Sequence, residues 1–214
     1  MIVLADNDII LKLAQCDLLD SLPELLGAPI ESIFVSTTAR YQLLPKNPDK
    51  LFSKCGNEET VLRLKNFLDL VKDIPVIENI ELLGRVSGIQ NIDAGEQQLF
   101  VACISNNAST LITGDRKALR AVISCKDTVP ELHAGLIDKV VTFESALLLA
   151  LDVFGFPVLK QKLLSCPKPD GVLKQVLRPD MAEDNLRECL VSFTREVSLF
   201  LTAKERLPHE LRVE

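Results

Sequence analysis

Short apolar runs alternate along the chain with segments whose apolar residues recur at helical spacing. A continuous apolar run is typical of a strand buried on both faces, and spacings of three and four residues are typical of an amphipathic helix. The runs predict strands at residues 1–5, 32–36, 75–77, 110–112 and 139–141, with 75–77 at an edge of the sheet. The helical spacings predict helices at 9–14, 17–26, 37–44, 58–71, the first part of 79–92, 93–106, 115–124 and 142–154.

Strands that alternate with helices predict a parallel, doubly wound sheet, and hence an α/β fold. The strand pattern ends near residue 150, and prolines then separate short helical pieces. A last helix after residue 180 carries an apolar stripe. The pattern therefore predicts an α/β domain at residues 1–150 and a helical C-terminal extension at 151–214.

Composition and charge exclude several classes of protein. Hydrophobic residues make up 47% of the 214 positions, which suits a packed domain rather than a disordered chain. The net charge of −6 argues against a protein that coats nucleic acid without specificity, although it permits a local basic path. No uninterrupted apolar stretch is long enough for a membrane span, and no basic segment precedes the first apolar run as in a signal peptide. We therefore expect no membrane association.

Cysteine usage adds an expectation about location. The six cysteines are scattered without a Cys-x-x-Cys pair, and only two histidines are present. This pattern disfavours a zinc site and favours reduced thiols in a cytoplasmic protein.

Three acids occupy positions where an α/β sheet usually carries its chemistry. Asp6 follows the first strand, Asp115 follows the 110–112 strand, and Glu96 begins the helix that leads into that strand. Ligands of open α/β sheets bind beyond the carboxyl ends of the strands, so these side chains meet if the two strands are neighbours. Carboxylates brought together repel one another unless a cation lies between them, and oxygen ligands favour Mg²⁺ or Mn²⁺. Such a site suits phosphoryl chemistry.

Each of these positions also fits a purely structural role. Asp6 and Asp115 stand where a helix N-cap is expected, and Glu96 lies three residues after Asp93, the spacing of a capping box. The helix after Asp115 begins with basic side chains, which the helix dipole disfavours at that end. They predict contacts with a nucleic-acid backbone, and the alternative is solvated surface charge. These basic residues are Arg116, Lys117 and Arg120.

Three segments together resemble the PIN domain family of metal-dependent nucleases. The first is the strand that ends in Asp6-Asn7-Asp8, the second is Asp93-Ala94-Gly95-Glu96, and the third is Leu111-Ile112-Thr113-Gly114-Asp115. The resemblance covers about residues 1–150 and implies a three-layer α/β/α fold with a central parallel sheet.

By this resemblance, the reaction is hydrolysis of RNA phosphodiester bonds by a metal-activated water. The ligands of Mg²⁺ or Mn²⁺ would be Asp6, Glu96 and Asp115, with Asp8 and Thr113 in support. Members of the family are often toxins of toxin–antitoxin pairs and often form homodimers. The resemblance thus implies an RNA substrate, an antitoxin or other protein partner, and a homodimer.

Two departures from the family pattern keep a second reading open. Residues 37–42 lack the acid that many members carry in the helix after strand two, and residues 116–118 lack a further Asp after the third motif. A catalytically degenerate PIN fold that serves as a binding or assembly module fits these departures.

A third reading is a phosphatase similar to the haloacid dehalogenases. Their Asp-x-Asp motif after a strand matches Asp6-Asn7-Asp8, with Asp6 as nucleophile and Asp8 as acid/base. This reading gives Glu96 no role.

Overall fold

The computed structural model describes residues 2–212, which fold around a five-stranded sheet. Every strand pairs in parallel with its neighbours, in the spatial order β3–β2–β1–β4–β5. The strands are β1 (Ile2–Ala5), β2 (Ile33–Val35), β3 (Lys72–Asp73), β4 (Ser109–Thr113) and β5 (Val140–Thr142). The predicted α/β class with a parallel sheet is confirmed, and the fold is Rossmann-like.

Helices connect the strands and flank the sheet. Those that precede the extension are α1 (Asn7–Gln15), α2 (Leu22–Leu26), α3 (Ala39–Leu43), α4 (Pro48–Cys55), α5 (Glu58–Leu70), α6 (Ile80–Val86), α7 (Ala94–Ile104), α8 (Arg116–Ser124), α9 (Pro130–Leu136) and α10 (Phe143–Phe154). Short 3₁₀ turns lie at Leu19–Ser21 and Ile30–Ser32. Proline occupies the first turn of both α4 and α9, where its missing N–H costs no helical hydrogen bond.

The strand order places the switch point of the sheet between β1 and β4. The chain builds outward from β1 to β3 and then crosses back to lay β4 against the other side of β1. The register pairs Ala5 with Ile112, so the two strands end almost level. The residues that follow them, Asp6 and Thr113 to Asp115, therefore open into one crevice.

Side chains of the sheet alternate between two apolar cores. Val3 and Ala5 belong to one core and Leu4 belongs to the other, as expected when both faces of a strand are buried. The first core also takes in much of the extension, including Leu186 and Leu190. Within residues 2–212, no helix is both long enough and apolar enough to cross a membrane.

The edge strand was predicted at residues 75–77, and it begins three residues earlier in the chain. The edge strand is β3, which pairs Lys72 with Phe34, and the ladder ends with the bond from the N–H of Ile74 to the carbonyl of Val35. Pro75 has no N–H to continue it, which explains why the apolar residues that follow lie outside the sheet.

The extension packs against the α/β part through several of its helices and turns. It consists of α11 (Phe156–Leu164), α12 (Leu173–Val176), α13 (Glu183–Thr194) and 3₁₀ turns at Arg195–Phe200, Lys204–Arg206 and His209–Leu211. Helix α13 packs on α10, and Leu201 forms an isolated parallel bridge with Val140 beside β5. The N–H of Thr202 donates to the carbonyl of Val140 at 2.9 Å, so the extension also covers an edge of the sheet.

Candidate acidic site at the switch point of the sheet

A pocket of about 250 Å³ opens at the carboxyl ends of β1 and β4. The acids predicted from the sequence, Asp6, Glu96 and Asp115, all line it, together with Asp93 and Asp8. Its other lining residues are Asn7, Leu11, Gln42, Leu43 and Lys54. We refer to this cavity as the acidic pocket.

Asp6 stands at the end of β1 and at the N-cap position of α1. Its backbone is extended and its side chain makes no capping hydrogen bond, so capping does not account for this acid. Burial raises the pKa of Asp6 to about 6, and repulsion from Asp8 adds to the rise. Asp6 is therefore an acid held in a poorly solvated place, where contacts with the backbone N–H groups of Asn7 and Asp8 offset only part of the cost of burial.

Glu96 serves the capping box that begins α7. Its Oε2 accepts from the N–H of Asp93 at 2.8 Å, and Asp93 Oδ1 accepts from the N–H of Glu96 at 2.8 Å. Only 6% of Glu96 is exposed, and burial raises its pKa to about 8. Repulsion from Asp115, Asp93 and Asp6 contributes to the same rise. The predicted capping role is confirmed, and the carboxyl also feels the other acids of the pocket.

Asp115 caps α8, as its structural interpretation predicted. Its Oδ1 accepts from the N–H groups of Lys117 at 2.7 Å and Ala118 at 3.2 Å. Thr113 Oγ1 accepts from the N–H of Asp115 at 3.1 Å and lies 3.5 Å from Asp6 Oδ2. Thr113, at the end of β4, thus contacts both Asp6 and Asp115.

Asp8 differs from the other acids of the pocket because it forms an ion pair with a lysine. Its Oδ2 lies 2.7 Å from Lys12 Nζ, one turn along α1. Gly114 makes this arrangement possible, because a Cβ at that position would lie only 2.3 Å from Asp8 Oδ2. Lys12 also lies 3.6 Å from Asp170 Oδ2, which belongs to the extension.

The donor set suits a hard divalent cation, while the side-chain arrangement is that of helix caps. No ion pair within residues 2–212 involves Asp6, Asp93, Glu96 or Asp115, which leaves these carboxyls without a protein cation. Asn7 Oδ1 is buried in the same region and has no hydrogen-bond partner in that part of the chain. Carboxylate and amide oxygens are ligands that Mg²⁺ and Mn²⁺ accept. In the described chain, however, no three acidic, imidazole or thiol side chains are already gathered as a metal site.

Two of the three basic residues predicted to bind nucleic acid are engaged with the extension or α10. Arg116 Nε lies 3.3 Å from Glu144 Oε1, and its guanidinium lies over the ring of Phe193. Arg120 forms an ion pair with Glu196. Lys117 is exposed and lines, with Arg120, a separate cavity of about 620 Å³. We refer to that cavity, which also includes residues 88–91, as the α8 hollow.

Three polar residues of the acidic pocket were not predicted from the sequence. Asn7 Nδ2 donates to Gln42 Oε1 at 2.6 Å, which joins α1 to α3 across the pocket. Lys54 comes from α4. Asn7 stood inside the first motif, so its position was a usable signal. Gln42 and Lys54 lie on separate helices, and nothing local to them indicates the pocket.

No family model, no curated protein and no solved structure matches this chain.

Proposed function

We propose that this chain is a metal-dependent ribonuclease with a PIN-like α/β/α domain, and that its reaction takes place in the acidic pocket. The observation that carries the proposal is the meeting of Asp6, Glu96 and Asp115 around one cavity at the switch point. These acids come from distant parts of the sequence and have no cationic partner among the described residues. Their order and spacing also match the three motifs of the PIN resemblance.

In this proposal Mg²⁺ or Mn²⁺ would be held by Asp6, Glu96 and Asp115. When bound, the cation would polarise a phosphodiester and lower the pKa of a coordinated water. Asp6 is the residue most available to it, since its side chain makes no capping hydrogen bond. Glu96 and Asp115 would exchange part of their capping interactions for the ion.

The remaining groups of the pocket would position the substrate and the ligands. Thr113 fixes the turn that presents Asp115 through the hydrogen bond to its N–H. Asn7 offers its buried Oδ1 as a further polar contact. Lys54 brings a positive charge to the rim, where it would contact a phosphate.

A binding or assembly module is the second candidate, and one observation favours it. Two of the three acids, Glu96 and Asp115, cap helices, and no cluster of side chains within residues 2–212 is already arranged to hold a metal. A PIN fold that has lost catalysis would retain such caps, because they stabilise α7 and α8. The antitoxin or other protein partner, the homodimer and the cytoplasmic location remain predictions from the sequence under either candidate.

The test is cleavage of a labelled single-stranded RNA with Mg²⁺ or Mn²⁺ by the parent and by Asp6→Asn. We expect the substitution to lower the rate by about a hundredfold or more, since even indirect metal contacts are commonly worth 10- to 100-fold. Calorimetric titration of both proteins with Mn²⁺ should show weaker binding to Asp6→Asn.

Asp127→Asn is the matched control, because Asp127 is exposed and lies outside the acidic pocket. It should cleave RNA as the parent does. Equal cleavage by the parent and Asp6→Asn would reject the site, and a parent that binds no Mn²⁺ would favour the module.

A further inference from the structure

A third cavity, of about 890 Å³, adjoins the acidic pocket and shares Asp8, Leu11 and Lys54 with it. One wall is the helix α4, which contributes Lys50 and Lys54. The other wall is residues 167–170 of the extension, followed by Lys174. We refer to this cavity as the α4 groove. The extension thus forms one wall of a cavity that shares lining residues with the acidic pocket.

The two walls are joined closely, so the groove is formed before any ligand arrives. Gly56 at the end of α4 has φ +85°, and a Cβ there would lie 2.9 Å from Pro167 Cβ. This position therefore requires glycine both for its backbone conformation and for the approach of the extension. Lys168 Nζ donates to the carbonyl of Ser53 across the same junction. Asp170 Oδ1 accepts from the N–H groups of Val172 and Leu173, which holds the lower part of the wall in place.

The charge of the groove is concentrated on ammonium groups that have no carboxylate partner. Five lysines and three aspartates line it, and two of the aspartates, Asp8 and Asp170, share Lys12. The other four lysines form no ion pair within residues 2–212; they are Lys50, Lys54, Lys168 and Lys174.

The hydrogen bonds of these lysines leave their charge in place. Lys54 donates to the carbonyl of Gln42 and Lys168 to that of Ser53, and both acceptors are neutral. Asp49, exposed at the start of α4, is the one remaining acid of the groove lining. A polyanion would therefore be attracted to the groove even though the whole chain has a net charge of −6.

We propose that the α4 groove binds the phosphate backbone of a single-stranded RNA and leads it into the acidic pocket. This inference rests on the proposed ribonuclease function, and it assigns the C-terminal extension the role of one wall of the substrate path. None of the residues that line the groove, which all lie within 2–212, has an aromatic ring on which a base would stack. Binding is therefore expected through phosphates, with little preference for sequence and a strong dependence on salt.

The test is binding of a fluorescein-labelled single-stranded RNA, measured by anisotropy over a series of salt concentrations. EDTA keeps the RNA intact during the measurement. The variant is Lys50→Glu with Lys174→Glu, because both side chains are exposed and lie on opposite walls. We expect about tenfold weaker binding, and a plot of log K against log[salt] that is less steep by about 1 to 1.5.

The matched control is Lys65→Glu with Lys126→Glu. Both lysines are exposed and lie outside the acidic pocket and the groove, and the double substitution changes the net charge equally. Thermal unfolding of each variant shows whether the fold is retained. The control should bind RNA within twofold of the parent.

The outcomes separate this inference from the proposed function. Equal binding by the groove variant and the control, or a parent that binds no RNA, would overturn the groove whatever the cleavage assay shows. A parent that binds RNA through these lysines but does not cleave it with Mg²⁺ or Mn²⁺ would overturn the ribonuclease and leave the groove as a strand-binding surface.

Discussion

The α4 groove and the α8 hollow are both lined by basic side chains, but the two sets differ in how many of these side chains are paired with a carboxylate. At the α8 hollow, Arg120 is paired with Glu196 and the nearby Arg116 with Glu144, so that Lys117 is the one predicted basic residue without an ion pair within residues 2–212. In the α4 groove, Lys50 and Lys174 have no carboxylate partner within residues 2–212. A cluster of basic residues in the sequence therefore does not by itself define a binding surface. The acids supplied by distant segments decide which charges are left for a ligand.

The largest effect expected from this comparison is on stability. Arg116→Ala leaves Glu144 buried without its cation, and Glu144 is only 2% exposed. Removal of one partner from a buried ion pair costs about 3 to 5 kcal/mol, and the half-buried position of Arg116 places the expected loss near 3 kcal/mol. Denaturant unfolding monitored by circular dichroism measures it.

A double substitution provides the control for that loss. Arg116→Met with Glu144→Gln removes both charges, and we expect it to recover at least half of the lost free energy of unfolding. If Arg116→Ala leaves stability unchanged but weakens RNA binding tenfold, Arg116 contacts the nucleic acid as the sequence predicted. The contrast between the two surfaces would then be wrong.

The sequence predicted much of the fold because burial on both faces leaves a simple signal. The apolar runs located β1, β2, β4 and β5 within about one residue at each end. The pattern failed where a local rule competed with it. The spacing predicted no helix between residues 44 and 58, whereas α4 begins there at Pro48. Proline disfavours the helical conformation for the residue before it but is well placed in the first turn of a helix. Its effect therefore depends on whether the helix lies before it or after it.

The candidate site was predicted in part, and the limit is physical. Asp6, Glu96 and Asp115 were each marked by a strand end or a helix start in their own part of the sequence, and the order of the strands then placed the switch point among them. The α4 groove was not predicted, since its second wall comes from residues 167–174, more than a hundred positions from Lys50. Glu196 and Glu144 likewise gave no local sign that they would pair with the basic residues of α8.

Acids show the same contrast as the basic residues, and pH provides the test. Burial raises the pKa of both Glu144 and Glu96, but Arg116 opposes the rise at Glu144. At Glu96, burial and then repulsion from other acids raise the pKa from 4.5 to about 8. The folded chain therefore binds a proton that the unfolded chain releases between those values. The stabilisation is complete below pH 4.5 and is lost as the pH rises through 8.

Glu96→Gln should remove this dependence while it retains the capping box, which accepts glutamine at that position. In EDTA, we expect the variant to be more stable than the parent at pH 9 by about 1 kcal/mol, and similar to it at pH 5, because solvent screens part of the repulsion. Denaturant unfolding at the two pH values measures the difference. Profiles that stay parallel across the range would mean that burial and the neighbouring acids do not raise the pKa of Glu96 in the folded chain.

The smallest effect distinguishes the two basic surfaces one side chain at a time. Lys174→Gln and Arg120→Gln each remove one positive charge from an exposed residue. We expect Lys174→Gln to weaken RNA binding about threefold and to reduce the salt slope by about 0.7, because one phosphate contact is lost. Arg120→Gln should change the affinity less than twofold, since Glu196 already neutralises that charge. Equal losses in the two variants would mean that the RNA displaces Glu196 and binds along both surfaces, so that paired and unpaired charges are equally available to it.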